Sequence, residues 1–107
     1  MDVMDSPRIP IPHDALRQFC ARWGISELAL FGSVLRDDFG PESDVDVLVT
    51  SRDPLRWRFR HLQVMESELG KILGHDVEIT ERAAIEENPN WQMRREILGA
   101  ARRLDVA

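Results

Sequence analysis

The chain has 107 residues, 43% of them hydrophobic, which suits one modest core that removes roughly two-thirds of the unfolded surface from water. With 14 Lys and Arg against 19 Asp and Glu the formal net charge is −5, which argues against a free-standing nucleic-acid binder, because neutralising phosphates needs clustered cations. No apolar run approaches the ~20 residues that cross a bilayer, the N-terminal stretch lacks a signal-peptide core, and the single Cys20 excludes an internal disulfide, so a soluble cytoplasmic protein is the expectation.

Residues 1–11 read as a flexible lead-in, since Pro7, Pro10 and Pro12 remove backbone donors, and residues 12–107 read as one domain. From Pro12, the positions Ala15, Leu16, Phe19, Cys20 and Trp23 recur at helical spacing and Gly24 supplies the stop. Residues 28–31 form a short apolar run, a buried strand leading into Gly32-Ser33. A turn of helix is expected over 34–38, then Gly40 and Pro41 break the chain before a strand over 44–49. Leu55, Phe59, Leu62, Met65, Leu69, Ile72 and Leu73 step by threes and fours, predicting a long helix over 54–73 closed by Gly74. A third strand is expected over 75–80, beside the second. A turn at Asn88, Pro89 and Asn90 precedes a last helix from 91 to about 104, with Trp91, Ile97, Leu98, Ala101 and Leu104 as its stripe. This order indicates an α/β or α+β domain, with helices packed on one side of a small mixed sheet.

Gly32-Ser33 comes off a strand into a helical turn, which aims backbone N–H groups at an anion; Gly32 permits close approach, and Ser33 can donate to a phosphate oxygen or cap the turn. Alone this is an ordinary turn. Asp44 and Asp46 are two apart on a strand and so share a face, about 6.6 Å apart. Singly, Asp44 is a turn residue and Asp46 a solvent-facing strand residue. Together, on a strand otherwise made of Val45, Val47, Leu48 and Val49, they repel without benefit unless a cation is held there. Oxygen-only ligands point to magnesium, or manganese. Glu78, flanked by Val77 and Ile79, offers a third ligand or a general base, and three carboxylates suffice for two-metal phosphoryl transfer. Arg36 either reaches a phosphate or pairs with Asp37, Asp38 or Glu42. Arg56, Arg58, Arg60 and His61 make the long helix basic at its start, a pattern more often of a solvated face than of an acceptor or partner site. Trp91 with Arg94 and Arg95 is either core packing or a docking surface.

Gly32-Ser33 followed by Ser43-Asp44-Val45-Asp46-Val47-Leu48-Val49 resembles the signature of the DNA polymerase beta-like nucleotidyltransferases. The stretches 29–40, 74–82 and 90–101 are similar to the minimal nucleotidyltransferases, or MNT proteins, and the likeness covers most of 12–104. The resemblance implies a mixed-sheet nucleotidyltransferase fold, with Gly32 and Ser33 holding the triphosphate of ATP and Asp44 and Asp46 binding metal; Glu78 stands at the family's third acidic position, and Arg36 stays a candidate for the nucleotide from its place in the turn. It also implies a partner: MNT proteins commonly accompany a HEPN-type ribonuclease toxin and neutralise it, by blocking it or by adenylylating its tyrosine. The chain has no tyrosine, so such an acceptor lies in trans, and a homo-oligomer or a hetero-oligomer with the toxin both stay open. Two positions depart from the family pattern. Asp37 stands where many relatives have glycine, and Glu78 stands where aspartate is usual. The extra methylene displaces the carboxylate by about 1 Å, which can cost on the order of a hundredfold in rate. A weakly active antitoxin that acts sterically is therefore the alternative to an adenylyltransferase. A plain interaction domain, the third reading, leaves Gly32-Ser33 and the paired aspartates unexplained together.

Overall fold

Helix α1, His13–Trp23, begins directly after Pro12 and buries Leu16, Phe19 and Cys20 along one stripe before Gly24, at φ 68°, stops it. The computed structural model describes residues 7–52 and 57–107. Strand β1, Ile25–Phe31, follows at once and starts three residues earlier than the apolar run suggests. Its register against the next strand shifts between Ile25 and Glu27, and this irregularity interrupts the alternation by which the first residues would have been recognised. From Phe31 the chain enters a 3-10 turn, Gly32–Leu35, placed earlier than the expected 34–38 because Gly32 turns at φ 77° on leaving the strand.

Strand β2, Val45–Ser51, returns antiparallel to β1. Helix α2, Phe59–Leu73, then buries Met65, Leu69 and Leu73 and ends at Gly74 in the left-handed region. The expected start of this helix at 54 lies outside the described residues, but Trp57 and Arg58 are not helical: Arg58 is extended at the N-cap, where the His61 side chain accepts from its backbone N–H, so α2 begins at Phe59. Strand β3, Val77–Glu81, pairs parallel to β2, as a strand separated from it by a crossover helix can. Helices α3, Arg82–Glu86, and α4, Trp91–Ala100, follow; Asn90 caps α4 by accepting from the Met93 N–H at 3.1 Å. Five-residue α3 was not expected, since one turn and a half gives no periodic signal.

The last helix does not run to 104. Ala101 adopts extended dihedrals and Arg102–Leu104 becomes strand β4, antiparallel to β1, giving the sheet order β3-β2-β1-β4. Pairing with Leu28, Ala29 and Leu30 satisfies backbone groups that β1 would otherwise leave open, and this long-range gain overrides the local helical pattern.

Helices cover both faces of the sheet, where one was expected. On one face Leu28, Leu30, Val45, Val47, Val49 and Ile79 pack against α1 and α2. On the other, Ala29, Leu48 and Ile85 form a smaller cluster with Phe31 and with Met93, Ile97 and Leu98 of α4. The lead-in has no helix or strand over 7–11, yet Ile9 is buried in the main core and the Arg8 N–H donates to the Val34 carbonyl at 2.8 Å. Arg8 also pairs with Asp37, so this segment is held against the turn that follows β1. No helix among the described residues is long and apolar enough to cross a membrane.

Candidate active site

The end of β1 and the start of β2 meet at one point. Phe31 lies opposite Asp46, and the next residue, Gly32, has no room for a side chain: a Cβ there would sit 2.3 Å from Asp46 Oδ2. Glycine is needed for two reasons, the positive φ and the carboxylate occupying the space. Sequence alone indicates backbone access for a phosphate; the structure adds that the same absence of a side chain seats Asp46. Ser33 is half-buried in the 3-10 turn, where no side chain caps the N-terminus, so its capping role is not seen.

Asp44 is exposed and immediately precedes β2, whereas Asp46 is half-buried within it. On the neighbouring strand Glu78 is the register partner of Asp46. Burial pushes the Asp46 carboxyl above the ordinary carboxylate range; the charges of Glu78 and then Asp44 push it the same way, and Arg36 pulls it back. These four residues therefore share one electrostatic environment. The acids share charge without closing on a point: among the described residues no three His, Cys, Asp or Glu side chains form a ready-made metal cluster. The donor set nevertheless fits a hard divalent cation, since it is all oxygen and, among the described residues, Asp46 makes no ion pair against the repulsion, only the pull of Arg36. Arg36, the guanidinium whose charge pulls Asp46 back, is exposed and donates to Asp38 Oδ1 at 3.2 Å.

Arg36 also lines a pocket of about 360 Å³ with Gly32, Leu35, Gly99, Ala100, Ala101 and Arg102. Arg102 was missed from sequence, because only the unexpected strand β4 brings it beside Gly32, and no local signal announces that pairing. Outside this corner the other candidates separate. Cys20 is sealed in the core and burial raises its thiol to about 11, against a smaller opposing pull from Arg52. Arg58 and Arg60 are exposed, as a solvated helix face requires; Arg56 lies outside the described residues. Trp91 is 57% exposed, so it is not a core residue. A larger cavity of about 680 Å³ opens at the C-terminal end of α2, beside Glu66, Lys71 and His75, and includes neither Gly32 nor the three acids.

The nucleotidyltransferase domain family matches residues 14–104. No curated protein sequence matches significantly. Among solved structures, a chain in the crystal structure of the toxin-antitoxin MntA-HpeT superposes with a TM-score of 0.63 and 13% identity, over 87% of this chain and 71% of that one. That structure is of a mutant with two aspartates, two positions apart, changed to glutamate. At this identity the likeness speaks for the fold.

Proposed function

The chain belongs to the nucleotidyltransferase domain family, and from that premise we propose that it is a minimal nucleotidyltransferase acting as the cytoplasmic antitoxin of a HEPN-type toxin, to which it transfers AMP from ATP. Nucleotidyl transfer is the family's chemistry. The observation that carries the finer reading is the seating of Asp46 against Gly32, where a phosphate turn and an acid under repulsion from two others occupy one corner.

Asp44 and Asp46, with Glu78, would hold magnesium or manganese. When bound, such an ion neutralises phosphate charge and lowers the pKa of an attacking hydroxyl. The remaining work belongs to the chain. Backbone N–H groups of the Gly32–Leu35 turn orient the triphosphate, and Arg36 and Arg102 offset its charge from the pocket wall. Glu78 accepts the proton of the acceptor hydroxyl, whose oxygen bonds to the α-phosphorus as pyrophosphate leaves. The acceptor, a tyrosine hydroxyl in this proposal, sits on the partner, since this chain has no tyrosine. In support, MntA-HpeT is a toxin-antitoxin, and its altered aspartates have the spacing of Asp44 and Asp46.

One observation favours a second reading. The three acids do not converge, and Glu78 is longer than the usual aspartate, as in a weakly active antitoxin that masks its toxin sterically. Alpha-labelled ATP, magnesium and host lysate separate the two when wild type is compared with Asp44→Asn. A labelled polypeptide that disappears with the variant supports transfer. Equal labelling by both would remove Asp44 from the chemistry, and a partner that co-purifies unlabelled would favour masking.

A further inference from the structure

Helix α4 places Trp91, Arg94, Arg95 and Leu98 at positions i, i+3, i+4 and i+7, so all four fall on one side. They line a groove of about 630 Å³ that ends at Gly99, with Glu86 on its rim. Gly99 also lines the pocket that contains Gly32, Arg36 and Arg102. Groove and pocket are therefore neighbours sharing one residue without a side chain. A Cβ at Gly99 would meet nothing within 4 Å, so this shared residue faces open space and relieves no clash.

The charge of the groove is opposite to that of the chain. Arg94 donates to the Glu86 backbone carbonyl, a neutral acceptor, at 3.3 Å, and Arg95 is exposed with no carboxylate partner among the described residues. The one acid on the rim, Glu86, is already paired with Arg82 at 3.4 Å. A groove with two uncompensated guanidinium groups around an exposed tryptophan, on a chain of net charge −5, selects an acidic partner with something apolar to lay on the indole. Two cations are too few for a nucleic-acid backbone, which needs a row of them.

We infer that the α4 groove docks an acidic, tyrosine-bearing segment of the acceptor protein and feeds its hydroxyl to the Gly32 pocket. The inference rests on the proposal that the acceptor is a protein. Its dimensions agree: Arg95 to Gly99 is about 6 Å along the helix, the length of roughly two extended residues. A carboxylate held by Arg95 would stand about two to four positions from the acceptor hydroxyl.

The probe is a fluorescein-labelled random copolymer of glutamate and tyrosine, titrated by anisotropy without nucleotide; a lysine-tyrosine copolymer is the control. Wild type is expected to bind the acidic copolymer alone, more weakly as salt rises. Trp91→Ala and Arg95→Glu are each expected to weaken binding by about tenfold or more while melting cooperatively. Equal affinity in wild type and both variants overturns the inference. So does binding of single-stranded oligoadenylate, weakened by the same substitutions, when the copolymer does not bind. Thermal stabilisation by ATP and magnesium reports on the nucleotide site separately. Its absence would end the proposal that ATP is the donor at the Gly32 pocket, while the anisotropy still decided what the groove holds.

Discussion

Val45, Val47 and Val49 on one face of β2 are fully buried, whereas Asp46, which points to the other face, is only half-buried beside Asp44 and Glu78. The same strand serves two purposes because its side chains alternate. Toward α1 and α2, the valines join Phe19, Leu16, Met65 and Leu69 in a core with no buried polar side chain among the described residues. Toward α3 and α4 the buried cluster is only Ala29, Leu48 and Ile85, and beyond its edge lies the charged corner. Folding free energy is thus concentrated on one face, and this allows the other to keep acids that repel one another. The arrangement fits a functional site that detracts from stability.

Substitutions that respect or violate this division should differ in size. Phe19→Ala, on the sealed face, is expected to cost about 3–5 kcal/mol in urea unfolding, a large part of the total for a domain of this size. A cost below about 1 kcal/mol would mean that the main core does not carry the fold. Gly32→Ala comes next. Its Cβ meets Asp46 Oδ2 at 2.3 Å and its φ is 77°, so about 1–3 kcal/mol is expected together with loss of nucleotide transfer. Gly24→Ala is the control, with φ 68° and nothing within 4 Å. It should cost about 1 kcal/mol and leave transfer intact. Equal activity in the two variants would separate Gly32 from the chemistry.

Asp46→Asn should run the other way. The folded pKa of Asp46 is raised above its unfolded value, so its contribution to stability is full below the unfolded pKa and is lost as pH rises through the folded one. At neutral pH the charged carboxylate is therefore a liability. The variant should melt higher than wild type there, with the advantage shrinking as pH falls into the carboxylate range, while transfer drops by about a hundredfold or more. Thermal scans across pH test this, and a variant less stable than wild type at neutral pH would contradict the repulsion.

Much of this was legible in the residues. The stripes of α1 and α2 and their glycine stops gave two helices close to where they lie, and Val77-Glu78-Ile79 gave β3 beside β2. The corner was legible because Gly32-Ser33 and Asp44-Val45-Asp46 each sit at a strand end, although the contact between Gly32 and Asp46 was not, being a distance between segments. What escaped is non-local. Arg102–Leu104 reads as helix until β1 offers a pairing edge, and Arg102 reaches the pocket only by that route. Trp91 reads as core on hydrophobicity alone, because a stripe does not reveal whether anything covers it.

The smallest expected effect tests that late strand. Arg103, at the middle of β4, donates to Glu27 on β1 at 3.3 Å, with the arginine side chain largely in water. Exposed pairs are screened and hold two long side chains at an entropic cost, so Arg103→Ala should cost less than about 1 kcal/mol. The Glu27→Ala and Arg103→Ala double-mutant cycle should give a coupling of similar size that shrinks as salt is added. β4 would then be held by its backbone pairing with Leu28, Ala29 and Leu30 and by Leu104 against the main core, and the surface pair would add little. A coupling above about 2 kcal/mol would instead make the ion pair the clasp of β4. In that case the thinly covered face would depend on surface charge for the strand that brings Arg102 to the pocket, and high salt should weaken ATP binding together with stability.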